Sequence, residues 1–153
     1  MFNKLLIILL ITFGIFPAFA KQTNPNYDAT LAAKFGADEY GMKSFVLVML
    51  KTGTNTTDDQ EKITELFKGH MANIKKLVAE KKLIVAGPMG KNDNAYRGIF
   101  ILDVTGLDEA EALMQTDPAI KAKLLTAELY PWYGSAALSA YLETSDKIWQ
   151  KSP

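Results

Sequence analysis

The sequence predicts an α+β fold whose elements run strand, helix, strand, strand, helix, strand. Three observations predict it. Four short apolar runs are rich in β-branched residues, two stretches between them repeat apolar residues every three or four positions, and Gly, Pro or Asn marks the junctions. The first run, residues 45–50, reads Phe-Val-Leu-Val-Met-Leu and stops at Thr52-Gly53-Thr54. A continuous run of this length suits a strand buried on both faces.

A helix follows. Thr57 and Gln60 have the spacing of a capping box, and Asp58, Asp59 and Glu61 place negative charge where the helix dipole favours it. Ile63, Leu66, Phe67, Met71, Ile74, Leu77 and Val78 then form one apolar stripe, with Lys81 and Lys82 near the carboxyl end. The next strand, residues 83–86, ends at Gly87-Pro88, and residues 91–94 form a turn. Residues 98–104 give the third strand, and residues 107–116 a second helix with Ala110, Leu113 and Met114 inward. Residues 125–133 alternate Leu125, Ala127 and Leu129 against Thr126, Glu128 and Tyr130, the pattern of a fourth strand. This order predicts a ferredoxin-like protomer, a four-stranded antiparallel sheet with both helices on one face. An extra C-terminal helix is expected from Leu138, Tyr141, Leu142, Ile148 and Trp149.

The flanking segments differ in character. Lys4, the apolar residues 5–16 and Pro17-Ala18-Phe19-Ala20 have the form of a signal peptide cleaved after Ala20, which predicts export to the periplasm or the medium. Residues 21–43 form a lead-in, where Asp28 caps a turn presenting Leu31, Ala32 and Phe35 and Gly36 ends it. The core domain spans residues 44–134 and the tail residues 135–153. There is no cysteine, which excludes disulfides and thiol chemistry. The 17 basic and 17 acidic side chains balance, and no local run supplies the basic face that nucleic acid requires. Once the leader is removed, no membrane partner is expected.

One feature of the strands bears on assembly. Residues 45–50 and 99–104 carry large apolar side chains at odd and even positions alike, so the helix-free face is also built for burial. Each such side chain left wet forgoes about 1.5–3 kcal/mol. A second copy of the chain is the simplest cover, giving a homodimer through that face.

His70 is the sole histidine, and it falls inside the apolar stripe of the first long helix, between the directions of Leu66 and Ile74. Either it is a core residue with satisfied ring nitrogens, or it is a general base lining a cleft. As a base it needs a partner. Asp117, directly after the second helix, can approach from the same sheet face, although Asp117-Pro118 is also a standard helix start. One carboxylate oxygen can cap while the other orients the ring. Tyr96, Arg97, Tyr130 and Trp132 are candidates for the pocket mouth. Gly90-Lys91 lacks the rest of a phosphate-binding loop, and one histidine cannot make a zinc site, so no cofactor or metal is expected.

The series His70, Ile84-Val85-Ala86-Gly87-Pro88-Met89, Gly98-Ile99-Phe100-Ile101, Asp117-Pro118 and Tyr130-Pro131-Trp132 resembles the YCII-related domain family over about residues 44–134. The resemblance implies a dimeric α/β barrel of ferredoxin-like protomers, similar in fold to muconolactone isomerases. It also implies His70 and Asp117 as a catalytic pair, with Gly87 and Pro88 beside the pocket. An enzymatic precedent in the family is a dehydrochlorinase of a chlorinated hydroxyquinol. The expected function is therefore proton transfer on a small organic molecule, in a lyase or isomerase. A non-catalytic exported binding protein and a haem binder are the alternatives.

Overall fold

The computed structural model describes residues 24–151. The predicted leader, with its cleavage position after Ala20, lies outside the described residues. In chain order the elements are α1 (Ala29–Phe35), β1 (Met42–Thr52), α2 (Gln60–Ala79), β2 (Leu83–Pro88), β3 (Tyr96–Leu102), α3 (Leu107–Met114), α4 (Pro118–Lys121), β4 (Leu125–Ser135) and α5 (Tyr141–Ser145). The four strands form one antiparallel sheet in the order β2-β3-β1-β4, the ferredoxin-like arrangement.

Strand alternation decides which side chains meet the helices. Val46, Val48 and Leu50 of β1 and Phe100 and Leu102 of β3 share a core with Leu77 of α2, Ala110 and Met114 of α3, and Ala119 and Ile120 of α4. Register places the odd-numbered residues on the opposite face, where Leu47 pairs with Ile101 and Met49 with Ile99. All four are half-buried there. Phe45, on the same side, is buried against the Trp132 ring, centroids 5.6 Å apart.

Several element ends differ from expectation for identifiable reasons. α2 is capped by Asp59, which accepts from the Lys62 amide, so Thr57 and Gln60 do not form the expected capping box. Thr57 instead accepts from the Asp59 amide, and Gln60 donates to the Asp58 carbonyl. β2 runs on through Gly87 and Pro88 because it is an edge strand, where a missing N–H costs no ladder bond. The tail is helical in two short pieces, a 3₁₀ turn over Ala136–Ala140 and then α5. Ile148 and Trp149 lie beyond both and are exposed, so they do not extend the apolar stripe.

α1 follows expectation: Asp28 accepts from the Leu31 amide, and Gly36 ends the helix at φ 67°. Lead-in and tail meet through Lys34 and Glu143, 3.1 Å apart, and the Ala136 amide donates to the Gly41 carbonyl. Ser139 donates to Asp103, which also pairs with Lys43 at 2.6 Å. The two flanking segments are thereby tied to each other and to the sheet.

Candidate active site

His70 occupies the sheet-facing side of α2, one turn from Phe67 and from Ile74, and is only 9% exposed. Its Nδ1 lies 2.5 Å from Asp117 Oδ2, and Asp117 is fully buried. The other carboxylate oxygen, Oδ1, accepts from the amides of Ala119 at 2.9 Å and Ile120 at 3.4 Å, with Pro118 opening α4. Asp117 is therefore an N-cap and an imidazole partner at once, one oxygen for each. The ring is fixed on its other sides by aromatic contacts. Phe100 stacks on it at 6.0 Å and 20°, and Phe67 meets it edge-on at 6.0 Å and 84°.

Backbone approach makes the contact possible. Gly69 precedes His70, and a Cβ there would stand 2.8 Å from Pro118 Cγ, inside ordinary contact distance. The bare glycine lets α2 lie against the start of α4. A carboxylate only accepts hydrogen bonds, so Nδ1 carries the proton in the neutral ring and Nε2 is left as the basic nitrogen.

His70 lines a cavity of about 440 Å³ between α2 and the β2–β3–β1 part of the sheet, together with Phe67, Met71, Ile74, Gly87, Pro88, Arg97, Gly98 and Phe100. Its walls are mainly apolar, and Arg97 is the lining residue with a permanent charge. The structure thus gathers His70, Gly87, Pro88 and Arg97 at one cavity, with Asp117 behind the ring. Tyr96, Tyr130 and Trp132, expected at the pocket mouth, are not among its lining residues. Tyr130 and Trp132 are even-numbered β4 residues paired with Leu47 and Phe45, and strand alternation directs them to the helix-free face. There the Tyr130 hydroxyl donates to Glu128, which binds Lys51 at 3.0 Å, and the Lys51 ammonium stands 5.7 Å from the Tyr96 ring centre. The Lys51 contact holds Glu128 below the usual carboxylate range, and Glu128 in turn pushes the Tyr130 hydroxyl up.

Sequence reasoning missed the aromatic walls. Phe67 and Phe100 carried a signal only as members of a helical stripe and an apolar strand, the same pattern that marks any core residue. It also missed Asn73 and Thr116, whose side chains meet at 2.9 Å beside the pair. Among the described residues no group of three His, Cys, Asp or Glu stands close enough to hold a metal ion.

Comparison with curated proteins finds no match. Among solved structures the chain is similar to 5-chloro-2-hydroxyhydroquinone dehydrochlorinase (TftG) from Burkholderia phenoliruptrix AC1100, in complex with 2,5-dihydroxybenzoquinone. The identity is 20% and the TM-score 0.41, over 57% of this chain and 92% of that one. The profile of the YCII-related domain matches residues 45–132, from β1 to the second half of β4 and including His70 and Asp117. That match spans more than half of the 153 residues, and the chain belongs to the YCII-related domain family.

Proposed function

We propose that this protein is a small-molecule lyase or isomerase in which His70 Nε2 is the base and Asp117 orients and charges it. The observation that carries this reading is the 2.5 Å contact between His70 and Asp117 at the wall of a cavity of about 440 Å³. Nε2 takes a proton from the bound molecule, and the electron pair left behind either shifts to a neighbouring bond or expels a leaving group. The buried carboxylate stabilises the imidazolium formed. In isomerisation the proton returns to a second atom of the same molecule, and in elimination it leaves with the expelled group. Arg97 at the cavity favours a substrate carrying an acidic oxygen, and the apolar walls favour a ring.

The test is turnover of small cyclic acids, followed as elimination or isomerisation, by the parent and by His70→Ala. General acid–base catalysis contributes about 10²–10⁴ in rate, and a loss of that size is expected. Equal turnover by the two proteins removes the histidine from the reaction. Binding without turnover by the parent supports the binding-protein reading instead.

The proposal extends to assembly and placement. A second copy covers Leu47, Met49, Val85, Ile99 and Ile101, the half-buried apolar residues of the helix-free face. The chain is exported and cleaved after Ala20, for which the support is the apolar segment of residues 5–16 followed by Ala-x-Ala.

A further inference from the structure

The catalytic pair has a neighbour that general acid–base chemistry does not use. Asn73 stands three residues after His70 on α2, is 8% exposed, and meets the Thr116 hydroxyl at 2.9 Å. Thr116 immediately precedes Asp117, and its hydroxyl, with one proton to give, donates either to Asn73 Oδ1 or to the Leu113 carbonyl 2.7 Å away in the last turn of α3. The Asn73 Nδ2 is buried without a partner. Turned over, the amide lets Nδ2 donate to the Thr116 hydroxyl while that hydroxyl donates to Leu113, so the Asn73–Thr116 contact stands in either orientation. What the amide adds is direction.

The contacts between α2 and the α3–α4 junction run in antiparallel order. Gly69 touches Pro118, His70 binds Asp117, and Asn73 meets Thr116. Were His70–Asp117 the sole polar contact here, only the packing of Gly69 on Pro118 and of Phe67 and Phe100 on the ring would resist a rotation of α2 about it. A second polar contact one helical turn along, about 4.5 Å away by helix rise, removes that rotation.

We propose that Asn73 and Thr116 are positioning residues, a latch between α2 and the α3–α4 junction that fixes the separation of His70 and Asp117. The inference rests on the proposed role of that pair, but its test reads geometry and not turnover. His70 is the sole histidine, so its Nδ1-bound proton, moved downfield by a short bond to a carboxylate, is a single assignable NMR resonance. Thr116→Val keeps the shape and removes the hydroxyl, Thr116→Ser restores the hydroxyl, and Asn73→Leu removes the amide.

The parent and Thr116→Ser are expected to show the resonance. Thr116→Val and Asn73→Leu are expected to lose it through exchange with water while the amide spectrum of the sheet is retained. Retention of the resonance in Thr116→Val with the parent's exchange rate overturns the inference, and so does its absence from the parent. Collapse of the sheet spectrum in both apolar variants overturns it as well, since the two residues would then hold the fold and not the pair. Turnover unchanged in His70→Ala defeats the catalytic reading alone and leaves this result standing.

Discussion

At the scale of single residues, Asp117 carries two loads, and substitutions can separate them. Asp117→Ala removes a helix cap, worth about 0.5–2 kcal/mol, and leaves a buried ring nitrogen unpaired, worth about 1–3 kcal/mol. Urea denaturation is expected to show a loss within the sum of those ranges. Asp117→Asn is expected to lose less stability, because asparagine caps as well as aspartate. Its amide can instead donate to Nδ1, which moves the ring proton to Nε2 and removes the basic character of that nitrogen. Turnover is then expected to fall about as far as in His70→Ala, by ~10²–10⁴. The pair itself was legible because a polar ring inside an apolar stripe and an Asp-Pro step are both departures from local pattern. Phe67 and Phe100 were not, because an aromatic wall and a core aromatic follow the same periodicity until the fold decides which of them borders empty space.

At the scale of elements, the lead-in is joined to β4 by a bond between its loop and the strand. The Tyr133 hydroxyl donates to Asp38, whose other oxygen accepts from the amides of Tyr40 and Met42. That donation pushes the Tyr133 hydroxyl up to about 12 and holds Asp38 below its usual value. The sign follows from which form makes the bond. Neutral Tyr133 donates to charged Asp38, so the tie is complete between the two values. It weakens as pH rises through about 12, and again as pH falls through the lowered Asp38 value. Ring resonances of labelled tyrosine are expected to show Tyr133 ionising near 12 in the parent and returning toward 10.0 in Asp38→Asn. An unchanged titration would show that the bond does not form in solution. The Asp28 and Gly36 caps of α1 were readable from sequence, because each is a local rule about one residue. The Tyr133–Asp38 tie was not, because it joins residues 95 positions apart that only the β1–β4 register brings together. The capping-box misassignment at α2 is instead a choice among local candidates: Asp58, Asp59 and Thr57 all cap well, and the loop geometry selects Asp59.

At the scale of the whole molecule, strand order followed from the periodicity of six elements, since βαββαβ with short connections leaves few sheet arrangements. The same runs foretold two apolar faces, and the structure assigns one to α2, α3 and α4 while leaving Leu47, Met49, Ile99 and Ile101 half-buried on the other. Covering their remaining exposed part with the proposed second copy would contribute a fraction of the about 1.5–3 kcal/mol that full burial of each gives. A carboxylate in the middle of that face meets its own symmetry mate or an apolar partner. Ile101→Glu is therefore expected to sediment as a monomer with the fold retained, against a dimeric parent. A monomeric parent would show that the appended segments, or another partner, cover the sheet.

The role of His70 as the base is read by hydrogen exchange into a bound molecule. In deuterated water, with a panel of small unsaturated lactone and cyclic keto acids, mass spectrometry reads how fast an acidic carbon-bound hydrogen is replaced. The parent is expected to accelerate the replacement for at least one member, and His70→Ala to lower that acceleration by about 10²–10⁴. Equal acceleration by the two proteins would contradict the assignment of His70 as the base.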